Sequence, residues 1–166
     1  MALRFEELIE RHHDEIFAYL WKILGKNRRG DGAPDVEDLV QEVFLRAYQA
    51  FTALRPNSNH RAWLYKIATN CAYTKLRRER LSVRDELPAE LLSETESPSL
   101  SDGREGTVRA LVERLPAKQR ICVTLRYLQD LDYPEIARIA GCSQESARAN
   151  VSQAIRRLRL MLEKGT

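Results

Sequence analysis

Apolar residues recur along this chain at helical spacing, and no useful run alternates as a strand would. Phe5, Leu8, Ile9, Ile16, Leu20, Ile23 and Leu24 follow the i, i+3, i+4 rule and predict an amphipathic helix. Gly25 and the basic loop from Lys26 to Gly32 end it. Pro34-Asp35 opens a second helix, with Asp35 expected as N-cap and Glu37 and Asp38 favoured in the first turn by the helix dipole. Its inner stripe is Val36, Leu39, Val40, Val43, Phe44, Ala47 and Phe51. After the breaker Arg55-Pro56-Asn57-Ser58-Asn59, a third helix is expected from about His60 to Arg80, with Leu64, Ile67, Ala68, Cys71 and Leu76 inward. Three such helices make a small bundle.

The second half repeats the theme in shorter pieces. Val108, Leu111, Val112 and Leu115 mark a helix stopped by Pro116, and Ile121, Val123, Leu125 and Leu128 mark the next, ended by Gln129 to Asp132. Tyr133-Pro134 starts a third, where a proline at the first turn loses no needed N–H. Ile136, Ala137, Ile139 and Ala140 face inward before Gly141-Cys142-Ser143. Gly141 can supply a left-handed closing residue and Ser143 can N-cap the last helix. That helix, Gln144 to about Glu163, is expected to bury Ala147, Val151, Ala154, Ile155, Leu158 and Leu162.

Helix, short glycine-containing turn, helix is the pattern of a helix-turn-helix. The second helix must then offer polar side chains to base edges in the major groove. Glu145, Arg148, Ala149, Ser152 and Arg156 share its outward face, and Arg157, Arg159 and Lys164 suit phosphates. An ordinary helical hairpin with a solvated basic face would carry the same pattern.

Charge divides the chain further. Of 166 residues 31% are charged, yet the net charge is only +3, because the excess is unevenly placed. Residues 1–80 hold 14 basic and 11 acidic side chains, residues 81–107 hold 2 and 7, and residues 108–166 hold 11 and 6. Two basic lobes therefore flank an acidic, serine-rich stretch that reads as a flexible linker. Fully extended, its residues 81–107 would reach roughly 90 Å at about 3.3 Å each.

Composition excludes several classes. A hydrophobic fraction of 43% is enough for a core. The longest apolar run, Ile16 to Trp21, falls far short of the roughly 20 residues of a membrane span, and the acidic N-terminal turn is no secretory signal. A cytoplasmic protein with reduced, packed Cys71, Cys122 and Cys142 is expected, since their wide spacing fits neither disulfides nor zinc. His12-His13-Asp14-Glu15 places adjacent histidines about 100° apart on a helix, and no catalytic or phosphate-loop motif occurs, so neither enzyme chemistry, metal nor cofactor is expected.

Two more faces draw notice. On the third helix, Lys66, Asn70, Tyr73 and Arg77 align opposite the apolar stripe. Arg61, Trp63, Tyr65, Thr69, Lys75 and Arg78 lie beside them, behind the loop Asn57-Ser58-Asn59-His60. Rings interleaved with cations are what single-stranded nucleic acid requires, although Trp63 and Tyr65 fit a core equally well. On the second helix, Asp38, Gln41, Glu42 and Leu45 point away from the core, with Arg46 and Gln49 alongside. An acidic face with an exposed leucine suits a protein partner; plain solvated surface is the alternative.

At these residues the chain resembles a known family. The stretch Asp35 to Tyr48 resembles the core-binding segment of region 2 in bacterial RNA polymerase sigma factors. Arg61-Ala62-Trp63-Leu64-Tyr65-Lys66-Ile67-Ala68-Thr69-Asn70 with Lys75-Leu76-Arg77-Arg78 is similar to the promoter-melting and −10-reading part of that region. Leu115-Pro116, Arg126-Tyr127, Leu131 to Ala137 and the helix to Leu158 resemble region 4. Only these two regions are present, as in the extracytoplasmic-function (ECF) group. The resemblance implies an all-α chain of two small helical domains, region 2 at residues 1–80 and region 4 at 108–166. It implies that Asp38, Gln41, Glu42 and Leu45 meet the β′ clamp coiled coil of core polymerase and that the β flap is a second contact. Asn57, Ser58, Asn59, His60, Arg61, Trp63, Lys66, Asn70, Tyr73 and Arg77 would hold single-stranded −10 DNA. Ser143, Glu145, Arg148, Ala149, Ser152, Arg156 and Arg157 would meet the −35 duplex. Asn150 and Gln153 stand where the family often has a basic residue. An anti-sigma factor is an implied further partner. The competing reading is a helix-turn-helix regulator that works without polymerase.

Overall fold

The computed structural model describes residues 3–25, 33–86 and 103–165. Among them are seven helices: α1 (Phe5–Leu24), α2 (Ala33–Phe51), α3 (His60–Glu86), α4 (Gly103–Glu113), α5 (Ala117–Tyr127), α6 (Tyr133–Ala140) and α7 (Gln144–Lys164). No strand occurs among the described residues. α1, α2 and α3 pack pairwise, and α5, α6 and α7 do the same, with α4 laid on α7.

Local chemistry sets the ends. Gly25 takes φ +65° and returns its N–H to the Trp21 carbonyl at 3.0 Å, a backbone state that suits glycine. α2 begins at Ala33, so Asp35 sits within the first turn and is not the N-cap; its carboxylate is still favoured there by the helix dipole. Asn59 caps α3, its Oδ1 accepting the Ala62 N–H at 3.0 Å. Asp132 caps α6 through the Glu135 N–H, Gly141 closes it in the left-handed region, and Ser143 Oγ accepts the Ser146 N–H at 3.1 Å to start α7. The helix-turn-helix expected over these residues is present.

Several expectations shift. α3 runs on to Glu86, beyond the expected Arg80, and α4 starts at Gly103, ahead of Val108. The loop from Lys26 to Gly32 and most of the acidic stretch lie outside the described residues. Leu128 is exposed because α5 ends one residue earlier and the helical period no longer places it. Leu162 is exposed because α7, with 21 residues, outruns the 11-residue α5 beneath it. Val108 is exposed too. Thr69, expected beside the polar face of α3, is buried, and Tyr65 is buried as its core alternative had it.

The last difference has a large cause. The first lobe's core of Ile16, Leu20, Val36, Val43 and Leu64 runs without a break into Ile121, Leu125, Leu131, Ile136 and Ile139 of the second. α3 touches both α5 and α6, and α1 touches α4 and α5. Tyr65 and Thr69 face that junction: the Tyr19 and Thr69 hydroxyls are 2.6 Å apart, and the Tyr65 hydroxyl donates toward Gln129 Oε1 at 2.9 Å. A smaller second-lobe core of Leu115, Val123 and Ala154 lies on the far side.

One consequence is measurable. Leu125 is wholly buried in the shared core, so Leu125→Ala should cost about 2–5 kcal/mol. Both tryptophans, Trp21 and Trp63, are in the first lobe. Their fluorescence should nonetheless shift its urea midpoint together with total helicity. A tryptophan transition left at the wild-type midpoint would show that the lobes unfold independently.

Candidate nucleic-acid and partner interfaces

The outer face of α7 is built as the sequence suggests. Ser143, Glu145, Arg148, Ala149, Ser152, Arg156 and Arg157 are all exposed, while Ala147, Val151 and Ala154 anchor the opposite side. Ser143 spends its hydroxyl on the cap, which fixes the helix start and aims the first N–H groups outward. The Arg148 guanidinium lies 5.1 Å from the Tyr133 ring centre, and Arg126 lies 4.7 Å from the same ring. Tyr133 therefore pre-positions Arg148, a role the sequence pattern did not reveal. Asn150 and Gln153 turn to protein groups: Asn150 Nδ2 donates to the Ser146 carbonyl at 2.9 Å, and Gln153 Oε1 accepts from Gln119 Nε2 at 3.1 Å. Neither offers a cation. Beside this face, Tyr127, Tyr133, Ile155 and Leu160 line an open groove of about 550 Å³.

On α3, Lys66, Asn70 and Arg77 are exposed and Tyr73 is half-buried. Asn57 and Asn59 are exposed in the preceding loop, with Ser58 and His60 half-buried. The Ser58 hydroxyl donates to the Arg55 carbonyl at 2.7 Å, and Asn59 is used as the cap, so this loop is ordered from within. Trp63 packs against the core with only part of its surface free. Asn70 and Tyr73 share a cavity of about 100 Å³ with Lys118, Gly141, Cys142 and Asn150 of the second lobe. The polar face of α3 thus adjoins the helix-turn-helix.

Arg61 is committed elsewhere. Its Nε donates to Glu15 Oε2 at 3.0 Å, its guanidinium lies 5.0 Å from the Tyr65 ring centre, and Glu15 also accepts from the Tyr65 hydroxyl at 3.1 Å and meets His12 Nδ1 at 2.6 Å. Burial alone would raise the Glu15 pKa, but hydrogen bonds from His12, Arg61 and Tyr65 and the Arg61 charge outweigh it and hold the group below its ordinary value. Arg61 is raised, its own burial being outweighed by Glu15. Nothing in the one-dimensional pattern links positions 15 and 61.

The acidic face of α2 stands clear. Asp38, Gln41, Glu42 and Leu45 are exposed, Leu45 at 58% and its neighbour Tyr48 at 63%. Glu42 is paired with Arg46 at 2.6 Å, within one helix and exposed to solvent. Tyr48, three residues beyond Leu45, is a further member of this face, edge-on to Phe5. A cleft of about 240 Å³ bordered by Asp35, Asp38, Glu42, Lys75 and Arg78 runs from it toward α3. Elsewhere burial pushes the Cys122 thiol up to about 12. It stays neutral, as expected of a packed thiol. No group of three metal-ligating side chains and no helix long and apolar enough to cross a membrane occurs among the described residues.

Comparison with known proteins bears on all three faces. Residues 8–81 match the family described as Sigma-70 region 2, and residues 105–158 match Sigma-70, region 4. The chain is 34% identical over 152 positions to the ECF RNA polymerase sigma-E factor of Escherichia coli K12, covering 84% of this chain and 80% of that protein. It is 33% identical over 153 positions to the RNA polymerase sigma-H factor of Pseudomonas aeruginosa, covering 84% and 79%. Its fold superimposes on the sigma factor RpoE of Bartonella quintana, solved with the anti-sigma factor NepR, with a TM-score of 0.72, 22% identity and 96% of both chains covered. CnrH in complex with the cytosolic domain of CnrY gives 0.68 at 24% identity, over 98% and 89%.

The Glu15 cluster yields a pH test. A carboxylate held below 4.5 in the folded chain adds stability above that value, and this is lost as pH falls through the folded pKa. Urea midpoints of the wild type should therefore fall more steeply below about pH 4.5 than those of Glu15→Gln, which should be the less stable protein at pH 7. Parallel curves would mean that the cluster adds nothing.

Proposed function

Because this chain belongs to the sigma-70 family of RNA polymerase sigma factors, in its ECF group, we propose that its three exposed faces divide the work of promoter-specific initiation among them. As a member of that family it associates with core RNA polymerase and directs it to promoters. The chain supplies binding and positioning, and polymerase supplies the chemistry; no catalytic role, metal or cofactor is assigned to it. Its place of action is with polymerase, in the cytoplasm. Residues 1–80 act as region 2, residues 108–166 as region 4, and residues 81–107 as the connection.

In this reading the acidic face of α2, with Asp38, Gln41, Glu42, Leu45 and the adjoining Tyr48, docks on the β′ clamp coiled coil. Charged groups around an exposed apolar centre suit such a contact, since the centre gives affinity and the rim gives specificity. Lys66, Asn70, Tyr73 and Arg77 hold the −10 strand, behind the loop Asn57 to His60. Arg61 and Trp63 act there by shaping the face from beneath. α7 enters the −35 major groove with Arg148, Ala149, Ser152 and Glu145 toward bases and Arg156 and Arg157 toward phosphates. The second lobe also meets the β flap, and an anti-sigma factor competes for these surfaces. The observation that carries the reading is that both regions stand in order in one chain with their polar faces exposed. A regulator acting without polymerase would have no use for the acidic face of α2.

Two experiments test it. Asp38→Lys with Glu42→Lys should abolish co-purification with core polymerase while helicity is unchanged; wild-type association would remove this docking face. Arg148→Ala should cost about 1–3 kcal/mol at one base position and relax preference there, whereas Arg157→Ala should weaken all sequences alike. Equal losses on every sequence would make Arg148 a phosphate contact and shift the register.

A further inference from the structure

The outward face of α7 is supported by a chain of contacts that crosses α5, α6 and α7. Arg126, in the last turn of α5, donates through Nη1 to the Leu131 carbonyl at 3.0 Å, which ties its guanidinium to the turn before α6. That guanidinium lies 4.7 Å from the centre of the Tyr133 ring. Asp132 caps α6 through the Glu135 N–H and Pro134 stands in its first turn, so the backbone that carries Tyr133 has little freedom. The ring itself is half-buried and packs against the core. Arg148, in the second turn of α7, lies 5.1 Å from the same ring centre. Tyr133 also borders the open groove that Ser152 and Arg156 line, so the ring stands at the edge of the face assigned to DNA.

An exposed arginine samples many rotamers and loses that freedom when it is fixed on a base edge. Among phosphates a free guanidinium also swings to the nearest backbone oxygen, where it adds affinity and no sequence information. A ring beside it reduces both losses. Stacking on an aromatic face fixes the guanidinium plane and leaves its N–H edge pointing away from the ring, the edge that a bidentate base contact uses. Arg126, with one donor tied to the Leu131 carbonyl, steadies that ring from the α5 side.

We propose that Arg126 and Tyr133 are positioning residues for −35 discrimination: Arg126 holds the Tyr133 ring, and the ring holds Arg148 in the orientation that reads a base. This rests on the reading of α7 as the −35 helix and deepens it. The two residues act through Arg148 and decide whether its guanidinium serves a base or a phosphate.

The readout is base preference. Core polymerase carrying the full chain is offered a duplex library randomised upstream of the start site, and the bound sequences are counted at several salt concentrations. Arg148→Ala marks the position that Arg148 reads. Tyr133→Leu should lower preference at that same position about three- to fivefold, the size of a half-exposed cation–ring contact. Other positions and the salt slope should stay as in wild type, because no phosphate contact is lost. Tyr133→Phe keeps the ring and should match wild type, and Arg126→Met should lower the same preference by a smaller factor. Added to Arg148→Ala, Tyr133→Leu should change nothing further. A measurement without DNA complements these. In the free chain the ring current of Tyr133 should shift the Arg148 side-chain NMR signals upfield, and Arg126→Met should reduce that shift with helicity unchanged. Should Tyr133→Leu lose helicity, Arg126→Met carries both measurements. Equal losses on every sequence, a Tyr133→Phe variant as impaired as Tyr133→Leu, a further loss in the Arg148→Ala background, or unshifted Arg148 signals would overturn the proposal. If Arg148→Ala alters no single position, the reading of α7 fails and the proposal goes with it. If Arg148→Ala does so and neither Tyr133→Leu nor Arg126→Met touches that position, the proposal alone fails.

Discussion

α3 must bury two sides and still leave a third to solvent. Leu64, Ala68 and Cys71 belong to the bundle with α1 and α2, while Tyr65, Thr69 and Ala72 fill the junction with α5 and α6. Among its described residues Lys66, Asn70, Thr74, Arg77, Arg78 and Glu79 stay exposed. The rest of the structure follows from this division. Because the second buried side is served by the other lobe, the two lobes share one continuous core. The polar groups on that side must find partners away from water, and they do so in the Tyr19–Thr69 and Tyr65–Gln129 contacts.

The Glu15 cluster makes the same point in electrostatic form. A half-buried carboxylate would be costly alone, yet here it accepts from Arg61 and Tyr65 and meets His12. One of its donors, Tyr65, also reaches Gln129 in the second lobe. The arginine that motif reasoning would send to DNA is therefore the one that holds α1 to α3. Lys66, five positions on and so about 140° around the helix, is exposed.

The helix-turn-helix shows the opposite balance. Asp132, Gly141 and Ser143 set its boundaries by local hydrogen bonds and backbone preference alone, and its outward face stays outward wherever the lobe sits. The acidic face of α2 behaves alike, since Val36, Leu39, Val43 and Ala47 pin the other side of that helix completely. Both faces are independent of the junction between the lobes. The α3 face is not, since Asn70 and Tyr73 line a cavity together with residues of the second lobe.

These contrasts separate what the chain's pattern determined from what packing decided. Helical periodicity, the Gly25 and Gly141 stops and the Ser143 cap were legible because each depends on residues within a turn or two of one another. The faces of α2 and α7 were legible for the same reason, each being the complement of a single apolar stripe. Asp35 and Leu128 were misplaced by a residue or two, as helix ends compete with neighbouring turns. Thr69 could not be placed, and Tyr65 was left between a core and a surface reading, because amphipathic reasoning assigns one buried side per helix and α3 has two. Nor could Arg61, Arg109 and Arg120, whose partners are the Glu15 carboxylate and the carbonyls of Trp21 and Ile23. Glu15 lies 46 positions from Arg61, and the carbonyls lie 88 and 97 positions from Arg109 and Arg120. A carbonyl at a helix end carries no side-chain signature. The docking of one lobe on the other brings Arg109 and Arg120 to these carbonyls.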